Sequence, residues 1–205
     1  MFIVHPQVEE YILELLDIDD PVVKEMEKYA EEKDFPIIGR QGGFFLYLIT
    51  KIKNPRLVVE VGSGFGYSAY WFAKGLKSGK VVMTDYREDN LELAKKFLDR
   101  AGLLDRIEMK AGDGIEIAKD YADIDILFLD LEKAKYMDAI KLLENNLSND
   151  GIIIADNVLF QGKVVFEKDN KKARILDSFN RYIHQKYDAT ILPVRDGLLV
   201  ATRKS

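Results

Sequence analysis

Four residues in the second half of this 205-residue chain are of types that handle a hydroxyl group and a hard cation: Asp130, Lys133, Asp156 and Asn157. Asp130 and Asp156-Asn157 each follow an apolar run that reads as a strand, so both groups fall at strand ends. Two carboxylates and an amide oxygen on adjacent strand ends form a hard-oxygen donor set for Mg2+, Mn2+ or Ca2+, with positions left for water and substrate oxygens. Lys133, on the first turn after Asp130, can lean over the same spot. Beside a divalent cation and a cationic cofactor its ammonium gives up a proton readily, which suits a general base. Taken singly, each residue has a plainer reading: Asp130 as a helix cap, Asp156-Asn157 as a strand-ending turn, Lys133 as a solvated helix lysine. Their arrival together at one sheet edge lifts the metal reading above these.

A second group lies upstream. Leu57-Val58-Val59-Glu60-Val61 reads as a buried strand that runs into Gly62-Ser63-Gly64-Phe65-Gly66 and then a helix. Such a turn lets the backbone approach a ligand closely and offers unpaired N–H groups at the helix start. The spacing is tighter than the dinucleotide pattern G-x-G-x-x-G. Glu60, just before the turn, would repel a diphosphate and tolerate a cation, so S-adenosylmethionine fits better than NAD. Asp85 lies 23 residues beyond Gly62, near the ~20-residue offset at which an acidic side chain grips ribose hydroxyls. Gly112-Asp113-Gly114 brings a polar group and open backbone toward the adenine.

These residues need strands to carry them to one edge, because open α/β sheets gather ligands beyond the C-terminal strand ends. The pattern predicts strands over 57–61, 80–85, 106–110, 124–130 and 151–156, with helices over 67–76, 88–101, 114–119 and 134–146 between them. Continuous apolar strands suit parallel pairing with both faces covered. A helix over 170–186 precedes strands 189–194 and 198–203, which flank the hairpin signal Arg195-Asp196-Gly197. Helical spacing also covers 7–17, 21–34 and 41–52. The expected fold is a doubly wound, Rossmann-like α/β sheet, mostly parallel, with a C-terminal antiparallel hairpin and N-terminal helices. It forms one domain over 1–205, with a helical extension over 1–53 and the cofactor-binding core over 54–205.

Composition narrows the class. With 47% hydrophobic and 32% charged residues the chain is an ordinary globular one. The absence of cysteine excludes disulfides, thiolate zinc sites and cysteine nucleophiles. No apolar run approaches the ~20 residues of a membrane span, and Met1-Phe2-Ile3-Val4-His5-Pro6 lacks the basic start and apolar stretch of a signal peptide. A cytoplasmic enzyme is expected. A net charge of −5 argues mildly against a broad nucleic-acid surface.

The chain resembles the cation-dependent, S-adenosylmethionine-dependent O-methyltransferases, the group of caffeoyl-CoA and catechol O-methyltransferases. The resemblance covers roughly residues 36–203 and rests on Glu60-x-Gly62-x-x-x-Gly66-Tyr67-Ser68, Asp85, Ala101-Gly102, Phe128-Leu129-Asp130-x-x-Lys133, Asp156-Asn157-x-Leu159 and Leu192-Pro193-Val194-x-Asp196-Gly197. It implies Glu60, Gly62 and Ser68 around the methionine part of the cofactor, Asp85 at the ribose, and Asp113 with Gly114 at the adenine. It further implies Asp130, Asp156 and Asn157 as metal ligands, Asp130 also touching the cofactor amine, and Lys133 as the base for the substrate hydroxyl. A catechol-like small molecule, with a CoA thioester as one form, is the implied acceptor, and a homodimer is the implied assembly. The N-terminal helices would cap the substrate side or build the dimer face.

Three positions depart from the family pattern, and two of them, Phe160 and Arg195, bear on the acceptor pocket. Phe44 follows Gly43 where glutamine is frequent, Phe160 replaces a frequent tryptophan, and Arg195 replaces a usual glycine. The closest rival keeps the chemistry and changes the acceptor to a hydroxyuridine in transfer RNA, for which the lysine-rich segment 168–174 speaks. A non-catalytic cofactor-binding module and an NAD-dependent oxidoreductase are weaker rivals.

Overall fold

The computed structural model describes residues 3–16 and 18–204. Its apolar, β-branched runs pair into one sheet of seven strands: β1 (Leu57–Val61), β2 (Lys80–Asp85), β3 (Ile107–Ala111), β4 (Ile124–Leu129), β5 (Leu147–Ala155), β6 (Tyr187–Leu192) and β7 (Leu198–Arg203), in the order β3-β2-β1-β4-β5-β7-β6. The first five strands pair in parallel, and β7 runs antiparallel to both β5 and β6. Strand order reverses between β1 and β4, the place where a doubly wound sheet opens a crevice. This is the expected fold class.

The helices are α1 (Pro6–Leu15), α2 (Pro21–Lys33), α3 (Gly39–Lys53), α4 (Tyr67–Gly75), α5 (Glu88–Arg100), α6 (Gly114–Ala118), α7 (Tyr136–Leu143), α8 (Lys163–Phe166) and α9 (Lys171–Lys186). Alternate residues along each central strand face opposite cores. Val58, Met83 and Phe128 join α2 to α5 on one side, while Val59, Leu127 and Leu129 join α6, α7 and α9 on the other. That two-sided burial explains why the strands read as continuous apolar runs.

Boundaries differ from expectation in several places, among them β6, which spans Tyr187–Leu192 rather than 189–194, and α7, which ends at Leu143 rather than 146. β5 begins at Leu147, because Leu147 already pairs with Ile124 across an irregularity in the ladder. The predicted start of α7 is instead a 3-10 turn over Lys133–Lys135, a tighter coil that brings Lys133 back over Asp130. The short helix α8 was not foreseen; it carries no buried residue and so no periodic apolar signal. Asp17, the last residue of the first predicted helix, lies outside the described residues.

The N-terminal helices are tied to the glycine turn. Glu27 of α2 accepts hydrogen bonds from Arg40 Nε at 3.1 Å and from the Tyr67 hydroxyl at 2.7 Å. Phe65, inside the turn, packs edge-on against Tyr29 and Phe35 with ring centres 5.1 and 5.0 Å apart. The connection between α2 and α3 therefore stands beside the turn as a wall. Close approach of α3 to α4 depends on Gly43, where an added Cβ would lie 2.1 Å from Nε1 of Trp71. That indole is 1% exposed and has no room to withdraw. We expect Gly43→Ala to lower stability by about 1–3 kcal/mol through overpacking, outweighing a helix-propensity gain of about 1 kcal/mol. Urea denaturation would check the sign.

Candidate active site

Backbone register, not side-chain choice, brings the site together. The Asp130 amide donates to the carbonyl of Val61 at 3.0 Å, and the Asp156 amide to that of Leu129 at 3.0 Å. Each aspartate thus stands one residue beyond its strand, level with Gly62. Gly62 has a φ of 93°, and a Cβ there would lie 2.2 Å from the Asp130 carbonyl oxygen. Only glycine lets β1 leave the sheet while β4 ends against it.

Two cavities meet over this edge. One, of about 420 Å³, is lined by Gly62, Ser68, Asp85, Asp130, Asp156 and Asn157 among others, with Lys133 and Arg195 at its side. The second, of about 380 Å³, includes Thr84, Asp85, Tyr86, Asp113 and Gly114. Gly62, Asp85, Asp130 and Leu131 belong to both walls, so the two form one elongated crevice suited to an extended ligand.

Asp85 is already organised. Its Oδ2 accepts from the Gly64 amide at 3.0 Å, and its Oδ1 accepts from Arg87 N at 2.8 Å and Asn90 Nδ2 at 3.0 Å. Asp113 caps α6 by accepting from the Ile115 and Glu116 amides, and it also accepts from the Tyr86 hydroxyl. Its carboxyl is held below the usual range, first by that tyrosine bond.

Glu60 alone among the predicted site residues lines neither cavity. It is wholly enclosed; one carboxyl oxygen accepts from Ser68 Oγ, and the other has no partner. Burial, opposed by the Ser68 bond, pushes its carboxyl up to about 8. A carboxyl whose folded value exceeds its ordinary 4.5 keeps a proton that the unfolded chain has released. Stability should therefore fall as pH rises from about 4.5 to 8, by a few kcal/mol. Glu60→Gln should flatten that slope; thermal melts of the ligand-free protein at pH 5 and pH 8.5 compare the two.

Asp130, Lys133, Asp156 and Asn157 do converge. Lys133 Nζ donates to Asn157 Oδ1 at 2.7 Å, to the Tyr136 hydroxyl at 2.9 Å and to Asp130 Oδ1 at 3.2 Å. Tyr136, which sequence reasoning missed, is fully buried and donates in turn to the Asp156 carbonyl at 2.9 Å. Its three-residue offset from Lys133 was the available signal. Asp156 is 3% exposed. Burial and then the charge of Asp130 raise its carboxyl, while burial raises Asp130 against the pull of Lys133. Two carboxylates that repel each other, Asp156 buried and Asp130 partly exposed, beside an amide oxygen, are a donor set that fits a hard divalent cation. Among the described residues no three His, Cys, Asp or Glu side chains converge for that purpose; the set is two carboxylates and an amide.

Sequence reasoning also missed the wall formed by Phe35, Pro36, Ile37 and Ile38, which closes the larger cavity opposite the aspartates. Chain distance hid it, since nothing local links residue 35 to residue 130.

A doubly wound sheet whose glycine turn, ribose-type aspartate and polar strand ends share one crevice defines a Rossmann-like methyltransferase. The O-methyltransferase family model matches residues 15–204. The chain belongs to the O-methyltransferase family and is an S-adenosylmethionine-dependent enzyme of that class. It is 29% identical to a catechol O-methyltransferase of Niastella koreensis, over 96% of each chain. Among solved structures, a methyltransferase from Geobacter sulfurreducens superimposes with a TM-score of 0.86 at 37% identity, covering 98% of both chains. An O-methyltransferase from Bacillus cereus in complex with S-adenosylhomocysteine gives 0.85 at 26% identity, covering 97% of both.

Proposed function

We propose that this enzyme methylates a hydroxyl of a small catechol-like acceptor with the help of a divalent cation, Mg2+, Mn2+ or Ca2+. The observation that carries the reading is the convergence of Lys133 Nζ on Asp130 and Asn157 beside the second buried carboxylate of Asp156. S-adenosylmethionine would lie along the crevice, its ribose at Asp85, its adenine at Asp113 and Gly114, and its methionine end at Gly62 and Ser68 with Glu60 behind. Asp130, Asp156 and Asn157 would hold the cation, which lowers the pKa of a hydroxyl bound to it. Lys133 accepts the proton of the acceptor hydroxyl, and Tyr136 fixes the amine where that transfer occurs. The apolar wall over Phe35 to Ile38 excludes water and holds an aromatic ring against the cofactor end of the crevice.

Lys133 Nζ donates to Asp130 Oδ1 and Asn157 Oδ1, oxygens that would also hold the cation. The reading extends to residues 1–205 as one cytoplasmic methyltransferase domain, and to a homodimer, supported by the apolar side chains Tyr11, Leu15 and Ile52 left exposed on α1 and α3.

Labelled methyl transfer to a panel of catechols, including caffeoyl-CoA, with Mg2+ and with EDTA, tests the proposal. EDTA-sensitive transfer supports it. The lysine-rich segment 168–174 speaks for transfer RNA as the second acceptor; Lys168 and Arg174 share a groove with Arg181, which is paired with Asp177. Salt-sensitive transfer to RNA with none to any catechol would move the assignment there. No helix among the described residues is long and apolar enough to cross a membrane.

A further inference from the structure

Arg195 sits in the hairpin loop between β6 and β7 with a φ of 48°, in the left-handed region where glycine is at ease and arginine is strained. Its stem is seated on Gly39, where an added Cβ would lie 2.9 Å from its Cδ and 3.4 Å from Nη1. This places the side chain at the boundary of the 420 Å³ cavity and a neighbouring one of about 300 Å³. Its neighbours in charge are engaged: Arg40 is paired with Glu27, and Lys133 with Asp130 and Asn157. None of the ion pairs among the described residues uses Arg195. Its charge nevertheless reaches Asp130, Asp156 and Asp196, so it belongs electrostatically to the reaction end of the crevice.

A guanidinium in none of those ion pairs, sharing the 420 Å³ cavity with the apolar wall of Phe35, Pro36, Ile37 and Ile38 and bordering on its other side the cavity that Glu9 and Glu27 line, is complementary to an aromatic ring that bears an anion. Its paired N–H donors match a carboxylate in two-point geometry. We propose that Arg195 is a specificity-determining residue that selects an acceptor carrying a carboxylate on or near its hydroxylated ring. This rests on the catechol reading above and names the substrate class within it. The carboxylate would meet Arg195 while the hydroxyls face Lys133 across the same cavity.

The test compares kcat/KM for 3,4-dihydroxybenzoate and for its uncharged amide, in wild type, Arg195→Gly and Arg195→Lys. Glycine suits the backbone angle at this position, so that variant should fold. Wild type should favour the carboxylate at least tenfold, Arg195→Gly should lose that preference, and Arg195→Lys should keep part of it because a lysine lacks the paired donors. Calorimetry gives a readout without turnover: the Kd of dihydroxybenzoate for enzyme saturated with S-adenosylhomocysteine should weaken at least tenfold in Arg195→Gly. A carboxylate preference that persists in Arg195→Gly, or that is missing in wild type while both acceptors are methylated, overturns the role of Arg195 and leaves the catechol reading standing. Methylation of neither acceptor by wild type, while another catechol of the panel is methylated, overturns this inference alone; no transfer to any catechol overturns the catechol reading, and this inference with it.

Discussion

Lys133→Ala should lower kcat by about two to four orders of magnitude, the range lost when a positioned general base is removed, while S-adenosylhomocysteine binds nearly as before. The amine makes three hydrogen bonds at the reaction end of the crevice, and none of them involves Gly62, Ser68 or Asp85. Its loss should leave the fold intact, because Tyr136 remains anchored to the Asp156 carbonyl. Alanine alone does not distinguish a base from a fixed positive charge. Lys133→Arg does, since guanidinium keeps the charge and does not release a proton at any working pH. If Lys133 takes the proton, the arginine variant is as slow as alanine, and the kcat–pH profile loses its lower limb in both. Arginine activity within a few-fold of wild type would remove Lys133 as the base and make its charge the contribution.

How much of this was legible in the sequence depends on how local each signal is. β1, β2 and β7 begin and end where apolar alternation and turn residues put them. Gly62, Asp85, Asp130 and Asp156 were legible because a parallel sheet turns a one-dimensional rule, the residue after each apolar run, into a shared edge. Glu60 lies two residues before that edge, still inside β1. Its side chain is buried beside the crevice and meets Ser68. The acceptor wall was illegible for another reason. Phe35 reaches the crevice only because Glu27 ties α2 to Arg40 and Tyr67, a contact between elements with no periodic trace in the chain. α8 gave no pattern because it buries nothing.

Asp156→Asn should abolish metal-stimulated transfer and, as an independent sign, the thermal shift caused by the metal. A cation that binds only the folded protein stabilises it by RT ln(1 + [L]/Kd), about 2.7 kcal/mol at one hundred times Kd. For a chain of this size that corresponds to a rise of roughly 5–10 °C in Tm. Wild type should show that rise with Mg2+ and lose it with EDTA; the variant should show neither. Without metal the order reverses. The Asp156 carboxyl, raised by burial and by the charge of Asp130, is destabilising once ionised, so metal-free wild type should lose stability as pH climbs above the ordinary carboxylate range. Asparagine keeps the shape and removes the repulsion, so the metal-free variant should melt higher than wild type at pH 8 and differ little from it near pH 4. Gain of stability with loss of metal response would mark Asp156 as a ligand held in place against its own electrostatics. An Mg2+ shift that survives in Asp156→Asn would mean that the cation binds elsewhere, and Asp130 with Asn157 would then have to be explained as partners of Lys133 alone.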